Sequence, residues 1–225
     1  MKFHRILPIA PDIKLADKSA DGTMPARAFA HCEAMRLVSG WGYYLFPPCD
    51  ISIMWCYSNI MARFKVDEEW QLVDDDGIRP YMENDMDDVP MPGVVSKIRE
   101  HGHFQLTFGY MGKSEDDEVG YIIRPAINIA ASPVVQFYEG VVNFASESKE
   151  IFINGRFNVS DHEFMLRRDT PMFQVCPVRF DSFKALTKPV IIEGIPPDFS
   201  EAIDPGKKGE YAAEERKRLN DKLKS

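Results

Sequence analysis

His101 and His103 are the residues whose spacing most directly suggests chemistry. Side chains on a β-strand alternate between faces, so positions i and i+2 project together. Two imidazoles placed this way can hold one divalent metal, such as iron, when a third ligand comes from elsewhere and open positions are left for substrate. Gly102 between them would permit a close backbone approach. Glu100, Asp161 and His162 are the candidates for the third ligand. The residues that follow, Phe104 to Thr107, lack the carboxylate that often completes such a site. The plainer alternative is a pair of polar histidines at a strand end.

A second group is aromatic. Trp41, Tyr43, Phe46 and Trp55 could converge with Arg124 and Asn128 from a separate segment. Together they would line a mostly apolar pocket with a few polar anchors, the usual form of a small-ligand site. The alternative is a set of core aromatics with a hydrogen-bonded Asn in a turn.

Other chemistries lack their signatures. The sequence has no phosphate loop of the form G-x-x-x-x-G-K-[ST], no strand-linked G-x-G-x-x-G and no G-x-S-x-G nucleophile elbow. His162-Glu163 opens an H-E-x-x-H pattern, but Leu166 stands where the second histidine must be. Asp74-Asp75-Asp76-Gly77 lacks the alternate spacing of a calcium loop and reads as a solvated charge cluster.

The elements that must position these residues are mainly strands. A first strand is expected over residues 3–9. Thr23 as N-cap and Pro25 in the first turn predict an amphipathic helix over 25–39, closed by Gly40. Strand-like runs follow at 41–46 and 51–57, then at 104–110, 119–123, 126–130, 134–137, 141–144, 150–153, 156–159, 172–178 and 190–195. Asn154-Gly155 predicts a type I′ hairpin turn between two of them. Short strands at such spacing imply a mainly β fold, a β-sandwich or jelly-roll-like barrel with an N-terminal helix. Residues 1–199 are expected to form one globular domain, with 200–225 as a charged helical tail.

The chain has 225 residues, 44% hydrophobic and 28% charged, enough to build a core without disulfide staples. Its four cysteines form no C-x-x-C pair and read as reduced thiols. The formal charge is -8. Ten acidic residues and one basic one fall between Asp67 and Pro90, so residues 67–92 read as an acidic surface loop and the remainder is nearly neutral. Without a basic stripe, nucleic-acid binding as the main function is not expected. No apolar run is long enough to span a bilayer and no secretory leader is evident, so the expectation is a soluble, cytoplasmic protein.

Several stretches carry a resemblance. They are Gly40-Trp41-Gly42, Phe46-Pro47-Pro48, His103 to Tyr110, Arg124 to Asn128, Glu139 to Val142 and Pro171 to Val178. Their order over roughly residues 25–180 resembles a bacterial and phage family known only as a domain of unknown function. That resemblance implies no reaction. The leading expectation is a small-molecule-binding protein or a metal-dependent enzyme. The alternative is a non-catalytic interaction or assembly protein forming a homo-oligomer. A nucleotide-processing β-barrel rests on fold analogy alone.

Overall fold

The computed structural model describes residues 1–57, 59–66, 68–73, 94–97, 101–129, 132–145 and 147–184. Near the end of the chain it also describes 213–214, 217–218 and 221. Residues 74–93, the expected strand at 190–195 and most of the expected tail helix lie outside the described residues.

Among the described residues the fold is mainly β, in three antiparallel sheets, none of which closes into a barrel. The first sheet joins β1 (Lys2–Arg5), β8 (His103–Lys113), β12 (Lys149–Phe157) and β10 (Val135–Phe137) in that order, with β7 (Val95–Lys97) also paired to β8. The second runs β11 (Gly140–Val142), β9 (Val119–Pro125), β14 (Phe173–Arg179), β3 (Tyr43–Leu45), β2 (Lys14–Leu15). The third runs β13 (Glu163–Leu166), β4 (Ile51–Cys56), β5 (Asn59–Val66), β6 (Glu69–Val73).

One hydrophobic core receives residues from all three sheets. Phe108 of β8 stacks on Phe173 of β14 with centroids 4.4 Å apart, joining the first sheet to the second. Phe137 of β10 meets Phe173 edge-on and tilts against Phe164 of β13 at 5.8 Å, which brings in the third. Such ring pairs contribute roughly 0.5–1.5 kcal/mol beyond the area they bury.

Strand β8 keeps its even-numbered residues in the core along its whole length, although its register with β12 jumps between Glu150 and Phe152. Met111 faces Glu150 while Thr107 faces Phe152, so β8 carries two extra residues. An even number preserves the alternation of faces. Gly109 sits in this bulge at φ +80°, and its carbonyl accepts hydrogen bonds from the Ile6 and Leu7 amides. A Cβ there would run into the Leu7 side chain.

Five expectations change. Asn154-Gly155 is not a turn: β12 runs straight through it, and the expected strands at 150–153 and 156–159 are one. Glycine is needed there because a Cβ on Gly155 would lie 2.7 Å from the Phe104 ring and 3.1 Å from that of Phe137. The expected helix over 25–39 is two, α1 (Ala26–His31) and α2 (Glu33–Ser39), separated at Cys32 (φ -110°, ψ 92°). The break lets α2 bury Glu33 and Ser39, whereas α1 buries nothing. Thr23 does not cap α1; its hydroxyl bonds to the carbonyls of Ala20 (2.7 Å) and Asn128 (2.8 Å). Residues 126–130 form no strand where described, and the start of the acidic segment, Glu69–Val73, is strand β6.

Phe108→Ala should remove both the stack on Phe173 and a buried ring, at a cost of about 3–5 kcal/mol. Urea unfolding followed by tryptophan fluorescence would measure it. A loss below about 1 kcal/mol would show that this contact does not hold the first two sheets together.

Candidate functional site

The histidine pair straddles a turn instead of sharing a strand. His101 and Gly102 form the turn, Gly102 at φ +72°, and β8 begins only at His103. Gly102 is required by the Trp55 ring, which a Cβ would approach to 3.1 Å. His103 Nδ1 faces the His101 carbonyl at 3.2 Å, and its Nε2 lies 3.3 Å from the Tyr138 hydroxyl. Among the third-ligand candidates, the Asp161 carboxylate hydrogen-bonds Cys56, and His162 Nδ1 faces the Ser160 carbonyl at 2.8 Å. Glu100 lies outside the described residues. Among the described residues, no three His, Cys, Asp or Glu side chains are grouped closely enough to share a metal ion.

The aromatic group divides. Trp55 lies at the β4–β5 end against Gly102. Trp41, Arg124 and Asn128 belong to a polar layer on the outer face of the second sheet. Alternation along β14 sends Phe173 and Val175 into the core and Gln174 and Cys176 to the opposite face, where the end of α2 and the Gly40–Gly42 turn cover them. Gln174 is fully buried. Its amide nitrogen donates to the carbonyls of Trp41 (2.7 Å), Ser39 (3.0 Å) and Val38 (3.2 Å), and its oxygen accepts from the Ile127 amide (3.2 Å). The Cys176 thiol donates to the Trp41 carbonyl at 2.9 Å. Gly42 is forced by this close approach: at φ +96° a Cβ would collide with the Val175 carbonyl.

The Arg124 guanidinium lies over the Trp41 ring, 5.5 Å from its centroid, and is 7% exposed. Asn128 adopts φ +62°, donates to Ser39 Oγ at 2.8 Å and accepts from Thr23 through its carbonyl. Phe46 packs with Tyr44 and Ala126 in a small satellite cluster. The segment 126–129 is therefore held by Met172, Gln174, Ser39 and Thr23 at once.

The other side of that segment forms one wall of a cleft of about 580 Å³. It opens where the three sheets meet. Edge strand β10 of the first sheet and edge strand β13 of the third border it, and Pro125, Ala126, Ile129, Ser132 and residues of the 167–172 connection close its ends. Phe137, Phe164, Met172, Val135 and Ile129 make its lining predominantly apolar. Gln136, Asn158 and Arg167 supply polar groups at its rim. Glu163 also borders it. Hydrogen bonds from Ser52 and Arg63 hold its carboxyl below the usual carboxylate range, so at neutral pH it is a fixed negative charge and not a proton donor.

None of the candidate site residues His101, His103, Trp41, Phe46, Trp55, Arg124 and Asn128 lines this cleft, although Arg124 and Asn128 adjoin residues that do. Its lining comes from short edge strands and two connections, whose sequence pattern resembles any half-buried segment. Pro171-Met172 and Arg124 to Asn128 stood out as motifs, and these segments bring Ala126, Pro171 and Met172 to the cleft. No protein-family model, curated protein or solved structure matches the chain.

Burial lifts the Cys176 thiol from an ordinary 9.0 to about 11, partly opposed by Arg124. Burial lifts Cys49 likewise, to about 11. Both are neutral in the folded state until well above the pH at which the unfolded chain releases its protons. Their contribution to stability is complete below pH 9 and is lost as pH rises toward 11. The urea midpoint should therefore fall between pH 9 and 11, and Cys176→Ala should flatten that fall. An unchanged pH slope in the variant would remove Cys176 as its cause.

Proposed function

We propose that the protein is a binding protein whose ligand, predominantly apolar, occupies the cleft between β10 and β13. The observation that carries this reading is a cleft of about 580 Å³ with an aromatic floor at the junction of three sheets. Its volume and its few polar rim groups match those of small-molecule sites in general. The ionised, fully engaged Glu163 favours binding over proton-transfer chemistry. The polar layer around Gln174 supports the reading by fixing the 126–129 wall. The stack of Phe108 on Phe173 supports a sandwich-like scaffold beneath it.

An apolar fluorescent dye, anilinonaphthalene sulfonate, should bind wild-type protein saturably and be displaced by ligands of the cleft. Ser132→Trp fills the rim and should weaken dye binding at least fivefold. Ser132→Ala, which loses the same hydrogen bond from the Val134 amide, should bind dye as wild type does. Equal binding by the Trp variant, with unchanged circular dichroism, would sink the reading.

A second reading, assembly of two copies, draws on the outer face of the third sheet. Met61 (40% exposed) and Leu72 (64% exposed) stand together there with Met54, around a shallow depression of about 280 Å³. Exposed apolar groupings of this kind often mark contact surfaces. Light scattering of wild type and Met61→Lys/Leu72→Lys should then show a dimer reduced to a monomer. A monomeric wild type at high micromolar concentration would dismiss assembly.

A further inference from the structure

The cleft is bordered by consecutive residues of β10 (Val135, Gln136, Phe137) and of β13 (Glu163, Phe164, Met165). Side chains on a strand alternate, so a cleft against a sheet face touches every second residue. Contact with consecutive residues means that strand edges border the cleft.

The hydrogen-bonding pattern shows which main-chain groups face it. In an antiparallel pair, opposed residues alternate between those that exchange hydrogen bonds and those whose peptide groups point away. Between β10 and β12, the Asn158 amide donates to the Val134 carbonyl (2.8 Å) and the Tyr138 amide to that of Asn154 (2.9 Å). With Gln136 opposite Arg156, residues 134, 136 and 138 bond toward β12, and Val135 and Phe137 direct their N–H and C=O groups off the sheet edge.

The same reasoning holds across the cleft. The Lys65 amide donates to the Asp50 carbonyl, so even-numbered residues of β4 bond to β5 and odd-numbered ones bond to β13. The Asp161 amide, donating to the Trp55 carbonyl, agrees. Ile53 and Ile51 then pair with Phe164 and Leu166, and Glu163 and Met165 direct their peptide groups away from the sheet. All four outward-directed residues line the cleft, and among the described residues no turn or loop hydrogen bond engages their main-chain groups.

We propose that the occupant of the cleft is an extended peptide segment of a partner, which pairs its main chain with the free edges of β10 and β13. This rests on the cleft being the binding site and specifies its ligand class. An extended chain supplies alternating donors and acceptors on both of its sides, and an unpaired edge is a template for such a strand. The segment carries an apolar side chain over Phe137 and Phe164.

Charge fixes a second feature. Arg167 stands at the rim, its guanidinium meeting the Asp50 carboxylate only at 3.4 Å, while that carboxylate also accepts from the Arg168 amide at 2.9 Å. Glu163 is neutralised by Arg63. The rim therefore favours an acidic residue in the peptide.

A random heptapeptide phage library panned against wild-type protein, with Ser132→Trp protein as the counter-target, tests this. Enriched peptides should combine apolar and acidic residues and bind wild type at least tenfold more tightly than Ser132→Trp. Methylating their backbone nitrogens one at a time should weaken binding tenfold or more, because most interior amides face one edge or the other. Met165→Pro, which removes one outward N–H without touching the β4 ladder, should weaken binding where Met165→Ala does not. Absence of enrichment over Ser132→Trp, or indifference to N-methylation and to Met165→Pro, would overturn the peptide assignment. If dye binding still depends on Ser132, that failure leaves the cleft as a site for a different ligand class. A wild-type dimer that Met165→Pro dissociates would give the edges to a second copy and likewise overturn the assignment.

Discussion

The arrangement depends on the side-chain amide of Gln174. It is polar, fully buried and flanked in its strand by the apolar Phe173 and Val175, a placement tolerated only because its donors and acceptor are all engaged. Through them one residue ties three parts of the chain together: the end of α2, the turn around Trp41 and the 126–129 wall of the cleft. Removing such a group strands several partners, and each buried, unmatched polar group costs about 1–3 kcal/mol. The strong alternation along β14 follows. Phe173 and Val175 serve the core, and Gln174 and Cys176 serve the polar layer, so both faces of the strand are committed.

The aromatic core and the polar layer therefore act on the cleft from opposite sides. The rings of Phe108, Phe173, Phe137 and Phe164 pass contact from sheet to sheet and end as the cleft floor. The polar layer fixes the wall at Ala126 and Ile129. A binding surface assembled from sheet edges gains its rigidity in this way, because edge strands of three or four residues hold little order by themselves.

Much of this was legible in the sequence. The strands at 104–110, 119–123 and 172–178 follow from their apolar alternation, and Arg124, Trp41 and Asn128 do share one layer. Their role differs from the expected one: Asn128 shapes a loop and Arg124 lies over the Trp41 ring. Strand β5 was legible too, since Ile60, Ala62 and Phe64 alternate with Met61, Arg63 and Lys65, but the neighbouring acidic run concealed it. Asn154-Gly155 misled because a glycine required by ring packing has the same letter as one required by a turn. Glycine at position 102 misled similarly, since its left-handed backbone breaks the alternation on which the histidine pair depended. The cleft was not legible, because it is defined by which peptide groups lack a neighbour, and that is a property of the assembled sheets.

The pairing scheme also constrains the order of events during folding. Ser52 meets Glu163 across 111 residues and Gln174 meets Ser39 across 135. Early segments such as β3 and β4 pair on one side with neighbours in sequence and on the other with β14 and β13 near the other end of the described residues, and loop closure must precede any reward from the latter contacts. During synthesis, the apolar side chains of β3 and β4 emerge from the ribosome long before β13 and β14 exist to cover them. The two halves of the described residues therefore complete one another's sheets, and neither buries its apolar faces by itself.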